Sequence, residues 1–313
     1  MKKIISLILL ASVALFALAS CTPTETPAGP TEKDYTLAIG MYATGNTEEG
    51  RNNGKIGANV AVLVLDADNK IVAARLDTIE YKIKTNAGLN LTAPTSKMEL
   101  GTEYGMADSA EKGEWDVQMK WLENFLVGKT AADVAALTMD DLTAGCTIAT
   151  TVTDHKVAIA NAFASTTKTA FKATGDFTVG AKLMMSVSNK TAEGATDYNV
   201  AVDAEAAGVV VQDGKIVAST LDAIQTTMTA NAELTATAFA VSSHNDNPDS
   251  KRAQGDAYMM NGRSWATQAD AFCAATVGKA ATDLDSVSAA GCTMPYSQAT
   301  FKANLAAAMG LAR

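Results

Sequence analysis

Two threonines stand in the same short context, Ala-Gly-Cys-Thr, at residues 144–147 and again at 290–293. Each copy follows a polar loop and precedes a segment with apolar residues at helical spacing. The glycine lets the backbone turn tightly, and its small neighbours leave space above the hydroxyls of Thr147 and Thr293. A hydroxyl near a helix start lies where backbone N–H groups and the helix dipole favour a phosphate. The repeat therefore indicates a phosphoester at each threonine, with a turn preserved only for folding as the alternative.

The cysteines themselves offer little chemistry. The chain has four, and if the first, Cys21, carries a lipid, the others are Cys146, Cys273 and Cys292. An odd number leaves at least one thiol free or paired between molecules. A disulfide between Cys146 and Cys292 is not expected, because it would join equivalent positions of two repeats.

No metal site and no catalytic residues are expected. The sequence has no Cys-x-x-Cys spacing, and its two histidines, His155 and His244, do not occupy matching positions in the repeats. Nucleophilic catalysis by Cys or Ser lacks a repeated base for the same reason. Both histidines are therefore predicted to lie on the surface.

The threonine motifs belong to a longer internal repeat. Two further blocks match in the same order, 62–83 with 209–228 and 114–130 with 264–280. The second pair aligns Trp115 with Trp265 and Gln118 with Gln268. A period this long excludes a solenoid and predicts a duplicated domain. The expected domains are residues 35-168 and 176-313, with a linker between them.

Each copy is expected to be an α+β domain. The early block alternates apolar and polar residues around an Asp-Asn or Asp-Gly turn, which is typical of a β-hairpin with one buried face. The block after each tryptophan is helical in spacing and ends at Gly128 or Gly278. A second helix follows each Cys-Thr pair, with Asp154 or Ser297 as its expected N-cap. The predicted fold is two tandem homologous α+β domains, each a small antiparallel sheet packed with helices.

The N-terminus reads as a lipoprotein signal peptide over residues 1-20. It has two lysines, an apolar run and the lipobox sequence Leu-Ala-Ser-Cys, so that Cys21 is the expected site of lipidation. The apolar run is too short for a spanning helix. Residues 21-34 are rich in Thr, Pro and Glu and are predicted to form a disordered tether.

The charge of the chain argues against nucleic acid as a partner. Loss of the two signal-peptide lysines changes the net charge from −9 to −11. An acidic surface repels phosphate backbones and anionic headgroups. Contact with the membrane is therefore expected through the lipid anchor only.

The threonine motifs resemble those of the covalently flavinylated domains of bacterial respiratory and extracellular redox proteins. Those domains carry the pattern Asp-x-x-(Ser/Thr)-Gly-Ala-(Thr/Ser), and a dedicated flavin transferase attaches FMN through its phosphate to the last residue. In this chain, "DLTAGCT" supplies Asp141, Gly145 and Thr147, with Ala144 and Cys146 departing from the pattern.

The second copy departs further from that pattern. The stretch "VSAAGCT" keeps Gly291, Cys292 and Thr293 but has Val287 where aspartate is expected. Asp283 or Asp285 would have to compensate for flavin attachment at the second threonine. Over residues 35–312 the chain is also similar to the tethered, two-domain lipoproteins of flavin-based extracellular electron transfer in Gram-positive bacteria. The block "ELGTEYGMADSAEKGEWDVQMKWLENFLVGKT" carries that similarity.

The resemblance implies a redox electron carrier rather than a substrate-specific enzyme. FMN would be covalently attached to Thr147 and Thr293, with Cys146 and Cys292 as small residues beside them. The implied partners are a membrane quinol-linked electron donor and an extracellular acceptor such as ferric iron, and the implied location is the extracellular face of the membrane. The residues expected to contact the flavin ring, or else to form ordinary core, are Trp115, Trp265, Tyr104 and Met106, together with Tyr258 and the methionines after it.

Two other classes of function stay open on the residues alone. The first is a non-enzymatic lipoprotein whose duplicated α+β domains bind a ligand or partner. The second is a secreted hydrolase, which is disfavoured because no acid–base constellation repeats or clusters in the sequence.

Overall fold

The chain contains a run of strands followed by helices, and this order occurs twice. The computed structural model describes residues 31–241 and 249–313. The predicted signal peptide, Cys21 and His244 lie outside the described residues. The first half contains β1 (Glu32–Asn46), β2 (Lys55–Leu65), β3 (Ile71–Lys82), β4 (Lys84–Thr85), β5 (Gly88–Leu89), α1 (Lys97–Leu100), α2 (Trp115–Phe125), α3 (Ala131–Ala136), α4 (Ala149–Ala164) and β6 (Thr169–Thr174). The second half contains β7 (Thr178–Asn189), β8 (Tyr198–Gln212), β9 (Lys215–Ala230), β10 (Ala236–Val241), β11 (Met259–Met260), β12 (Arg263–Ser264), α5 (Trp265–Thr276) and α6 (Pro295–Gly310).

The long strands form two antiparallel four-stranded sheets. The strand order is β3-β2-β1-β6 in the first sheet and β10-β9-β8-β7 in the second. Each sheet is built on a meander of three long strands, and the loops between these strands range from two residues between β8 and β9 to eight residues between β1 and β2. The β8–β9 turn is Asp213-Gly214, and both residues have positive φ, as a two-residue hairpin requires. The expected α+β fold with antiparallel sheets and packed helices is therefore confirmed.

The two sheets pack face to face, with helices on both outer sides. Side chains at alternate positions of β1, such as Leu37, Ile39 and Met41, enter a core shared with β8 and β9. The opposite, outer face of the first sheet packs against α2 and α4. The outer face of the second sheet packs against α5 and α6. The result is a four-layer arrangement of helices, sheet, sheet and helices.

The expectation of one buried face per hairpin is wrong, because both faces of the central strands are covered. All of β2 after Lys55 is buried. A sheet placed between a second sheet and a helix layer has no solvent face, so near-continuous apolar runs replace strict alternation. The sequence of β2, KIGANVAVLVL, carries this signal.

The two halves repeat specific backbone contacts as well as element order. After α2, the N–H of Gly128 donates to the carbonyl of Ile71 at 2.7 Å. After α5, Gly278 donates to Ile216 at 2.8 Å. Both glycines have positive φ, which explains why glycine stands just beyond each helix end.

The two predicted domains, 35-168 and 176-313, correspond to halves of one compact unit that runs from Glu32 to Arg313. The first sheet extends past the expected boundary, since β6 lies in the predicted linker and pairs with β1. β1 in turn begins within the predicted tether. Among the described residues, no helix has both the length and the apolar character needed to cross a membrane.

Candidate functional site

Each motif threonine is exposed and lies two residues before a long helix. Thr147 precedes α4, and Thr293 precedes α6. The expected N-caps Asp154 and Ser297 are wrong, because both residues lie inside these helices. The true N-cap positions have apolar side chains that cannot cap, so first-turn N–H groups lack a side-chain acceptor.

A buried glutamine accepts a hydrogen bond from the backbone of each motif threonine. The backbone N–H of Thr147 donates to Oε1 of Gln118 at 2.9 Å, and that of Thr293 donates to Oε1 of Gln268 at the same distance. The glutamines lie on α2 and α5 and are fully buried. Sequence comparison aligned the two glutamines but assigned them no role.

The motif glycines are required by close packing rather than by backbone conformation. Neither Gly145 nor Gly291 has a positive φ. A Cβ at Gly145 would overlap the ring of Trp121 on α2, and one at Gly291 would lie 2.6 Å from Cβ of Ala271 on α5. The loop thus lies directly on the helix that carries the glutamine.

The motif cysteines are buried and free. Cys146 and Cys292 make no disulfide, in agreement with the sequence expectation, and Cys273 is also free. Burial raises the pKa of the Cys146 thiol, which keeps it protonated and unreactive at neutral pH. Both motif cysteines fill apolar space under the loop beside the exposed threonine.

Asp141 supports the loop before Thr147. Its Oδ2 accepts hydrogen bonds from the backbone and the hydroxyl of Thr138, both at 2.8 Å, and these bonds lower the pKa of the carboxyl. Asp141 is exposed and lies on the 3-10 turn Asp140–Leu142. It orders the segment that leads into the motif.

The second half has no counterpart of this turn. Cys146 follows Val134 by twelve positions, but Cys292 follows the equivalent Leu284 by only eight. Asp283 accepts from the Ala280 N–H at the start of its own 3-10 turn, as Asp133 does at Thr130. Neither Asp283 nor the exposed Asp285 replaces Asp141, and Val287 is buried.

A cavity of about 650 Å³ opens beside the Thr147 loop. Its walls include Tyr104, Met106 and Trp115, three of the residues expected to contact a flavin ring. Ile148 and Ala149, which directly follow Thr147, form part of the same wall. The structure therefore brings the sequence-predicted aromatic residues and the threonine loop of the first half to one place.

Trp115 has an unsatisfied polar group at this cavity. Its side chain is fully buried, and its Nε1 donor has no hydrogen-bond partner among the described residues. A buried donor without an acceptor costs about 1–3 kcal/mol. An acceptor that reached Nε1 would remove this cost.

A lysine that sequence reasoning missed lies over the aromatic residues. Nζ of Lys97 is 4.7 Å from the ring centre of Tyr104 and 5.7 Å from that of Trp115. Lys251 repeats this in the second half, 5.1 Å from Tyr258 and 5.8 Å from Trp265. The signal is a second repeated motif, Ser-Lys-x-x-x-Gly-x-x-Tyr, at 96–104 and 250–258.

The cavity of the first half holds a compensated charge cluster. Glu80 lies 2.9 Å from Lys97 and 3.0 Å from Lys55. Burial opposes ionisation of Glu80, but the two lysines outweigh it and lower the pKa of the carboxyl. Asp154 also lines the cavity, and burial raises its pKa.

The prediction that His155 lies on the surface is wrong. It is fully buried on the face of α4 that packs on the first sheet, and burial lowers the pKa of its imidazole to about 3. Its Nε2 lies 3.2 Å from the hydroxyl of Thr78. The spacing of Val152, His155 and Ile159 on one helix face was the available signal.

A buried aspartate accepts a hydrogen bond from the residue that follows Lys97 or Lys251. Oδ1 of Asp77 accepts from the N–H of Met98 at 3.0 Å, and Oδ1 of Asp222 accepts from that of Arg252 at 3.1 Å. Both carboxyls are buried, and burial raises the pKa of Asp77 to about 7. These aspartates set the position of the segment that carries Lys97 or Lys251.

The raised pKa predicts a specific pH dependence for Asp77→Asn. Because the folded-state pKa exceeds the unfolded value, Asp77 favours folding most below pH about 4, and this contribution is lost as pH rises through about 7. Asparagine keeps the acceptor for Met98 and carries no charge. The variant should gain stability relative to wild type between these pH values, by up to about 4 kcal/mol.

Urea unfolding from pH 4 to pH 8 measures this difference, with the exposed Asp68→Asn as control. Parallel stability curves for Asp77→Asn and wild type would contradict the assignment.

Comparison of the chain with protein-family models, curated proteins and solved structures gave no match.

Proposed function

We propose that this protein is a lipid-anchored extracellular electron carrier with FMN covalently attached to Thr147 and to Thr293. The observation that carries the proposal is the exposed threonine beside a cavity walled by Tyr104, Met106 and Trp115. The proposed partners are a flavin transferase, a membrane quinol-linked donor and an extracellular acceptor such as ferric iron. Lipidation at Cys21 and a position at the outer face of the membrane belong to the same proposal.

The residues of the first half fit FMN in three respects. The cavity volume of about 650 Å³ lies in the range of small-molecule sites. Nε1 of Trp115 is a buried donor without a partner, which suits a ring system rich in carbonyl and nitrogen acceptors. Thr147 lies where the first turn of α4 offers N–H groups to a phosphate.

Bound FMN would supply one- and two-electron transfer, and the chain would hold the ring and set its surroundings. Met106 and Trp115 provide apolar surface on the cavity wall, against which the ring would pack. Lys97 and Lys55 share the one carboxylate of Glu80, so this pair of lysines would favour negative charge added at the cavity. A covalent phosphoester prevents loss of the cofactor outside the cell.

The second half supports the same role with fewer features. It repeats the exposed threonine, the buried glutamine and the lysine over Tyr258 and Trp265. It lacks the turn that carries Asp141. We attribute the shared contacts to duplication of one ancestral unit, and expect attachment at Thr293 to be slower than at Thr147.

The alternative function is non-covalent binding of a ligand by a duplicated lipoprotein. The charged side chains of Lys55, Glu80 and Asp154 in the cavity support it, because they would match a polar ligand. The two functions differ in whether a cofactor stays with the denatured chain.

Coexpression with an active flavin transferase separates the two functions. The proposed carrier should be yellow and should keep its flavin absorbance after denaturation and removal of small molecules. An inactive transferase provides the matched control and should give a colourless chain. A chain that loses all flavin absorbance on denaturation would favour the ligand-binding alternative.

A further inference from the structure

We infer that Gln118 and Gln268 are positioning residues for modification of Thr147 and Thr293, an inference that rests on the proposed function. Each glutamine lies 29 or 25 residues before its threonine. Neither forms part of the short motif.

The glutamine amides have a fixed orientation. Nε2 of Gln118 donates to the carbonyl of Gly113 at 2.9 Å, and Nε2 of Gln268 donates to that of Met260 at 2.8 Å. Because each Nε2 group faces a carbonyl, each Oε1 must face the threonine. Burial of an amide without hydrogen-bond partners would destabilise the fold. The carbonyl on one side and the threonine on the other therefore fix each glutamine side chain.

Each Oε1 accepts two hydrogen bonds from one threonine. Besides the backbone N–H, the hydroxyl Oγ1 lies 3.4 Å from Oε1 in the first half and 2.9 Å in the second. A hydroxyl whose hydrogen bond points to Oε1 turns the lone pairs of Oγ1 away from the glutamine. This orientation presents the nucleophilic oxygen to an incoming phosphoryl group.

In the transfer, an O–P bond forms between Oγ1 and the FMN phosphate of a flavin dinucleotide donor. The pyrophosphate bond of the donor breaks, the nucleoside monophosphate leaves, and the hydroxyl proton passes to a base of the transferase. Gln118 takes no part in these bonds. It fixes where Oγ1 stands when the donor arrives, and misplacement by about 1 Å can cost a hundredfold in rate.

The duplicated site supplies its own control. Gln118→Met keeps side-chain length but removes the two hydrogen bonds with Thr147 and the one with Gly113, and it leaves the Gln268–Thr293 pair unchanged. With a purified transferase and a flavin dinucleotide, peptide mass spectrometry gives the initial rate of modification at each threonine of the full chain.

We expect Gln118→Met to slow modification of Thr147 by about tenfold or more while Thr293 keeps its rate. Gln268→Met should show the reverse. Gln118→Glu, which retains an acceptor for the Thr147 N–H, should recover part of the rate. Thermal melting of each variant shows whether the chain is folded. If Gln118→Met does not fold, Gln118→Glu tests the inference.

Equal rates at Thr147 in folded Gln118→Met and wild type would overturn this inference and leave the proposed function intact. Failure of Gln118→Glu to exceed Gln118→Met would overturn it as well. A wild-type chain that acquires no flavin would overturn the proposed function, and the inference with it.

Discussion

Replacement of Glu123 by alanine should lower the free energy of unfolding by about 3 kcal/mol, since loss of one partner of a buried ion pair leaves the others uncompensated. Glu123 lies on α2 and is 3% exposed. Its Oε1 accepts from the backbone N–H of Leu76 at 2.9 Å, and both carboxylate oxygens accept from Arg313, at 2.8 and 2.6 Å. Arg75 lies 3.5 Å from the same carboxylate.

The effect is large because three parts of the fold meet at this carboxylate. Leu76 belongs to an edge strand of the first sheet, and the backbone of Arg313 pairs with Val179 of the second sheet. Burial raises the pKa of Glu123, and the two arginines oppose that rise. Loss of the carboxylate removes the acceptor of the Leu76 N–H and of Arg313 Nη2, and it removes the opposite charge beside Arg75.

Thermal unfolding measures the change, which should lower Tm by about 5–10 °C. Glu123→Gln keeps an acceptor for Leu76 and should fall between the alanine variant and wild type. Glu111→Ala is the control, because Glu111 is 77% exposed. A Tm for Glu123→Ala within about 1 °C of wild type would refute the role of this cluster.

Gly40→Ala should destabilise the first half by at least about 2 kcal/mol, because the added methyl group has no space. A Cβ at Gly40 would overlap the carbonyl of Ala158 and the N–H of Ala162, and it would lie 2.8 Å from the carbonyl carbon of Asn161. These are backbone atoms of α4, so no side-chain rotation relieves the overlap. The helix that follows Thr147 must shift away from β1.

The second half offers a matched pair of variants. A Cβ at Gly180 on β7 would overlap the carbonyl of Ala308 on α6, whereas one at Gly310 meets nothing within 4 Å. Urea unfolding should show a comparable loss for Gly180→Ala and no loss for Gly310→Ala. Unchanged stability of both strand variants would contradict the close contact between helices and sheets.

The fold class was predictable because its signals are local. The apolar strand segments, the Asp-Gly turn and the glycines after α2 and α5 each depend on a few neighbouring residues. Face-to-face packing of the sheets was missed, although the apolar run of β2 indicates burial on both faces. The shared core depends on contacts between residues more than 100 positions apart, which local patterns do not encode.

The candidate site was predictable in part for the same reason. Thr147, Tyr104, Met106 and Trp115 were singled out by repetition and type, and the structure places them around one cavity or beside it. Lys97 was overlooked because a lysine is normally solvent-exposed, whereas this one is 5% exposed. The role of Gln118 depends on a helix and a loop meeting in space, so no local pattern reveals it.

Site-resolved mass of the full chain coexpressed with a flavin transferase tests the central claim most directly. The account predicts an added FMN-phosphoryl mass on the peptides that contain Thr147 and Thr293. Thr147→Ala should remove only the first addition, and Thr293→Ala only the second. The absence of any added mass in the wild-type chain, or its retention at position 147 in Thr147→Ala, would contradict covalent attachment at these threonines.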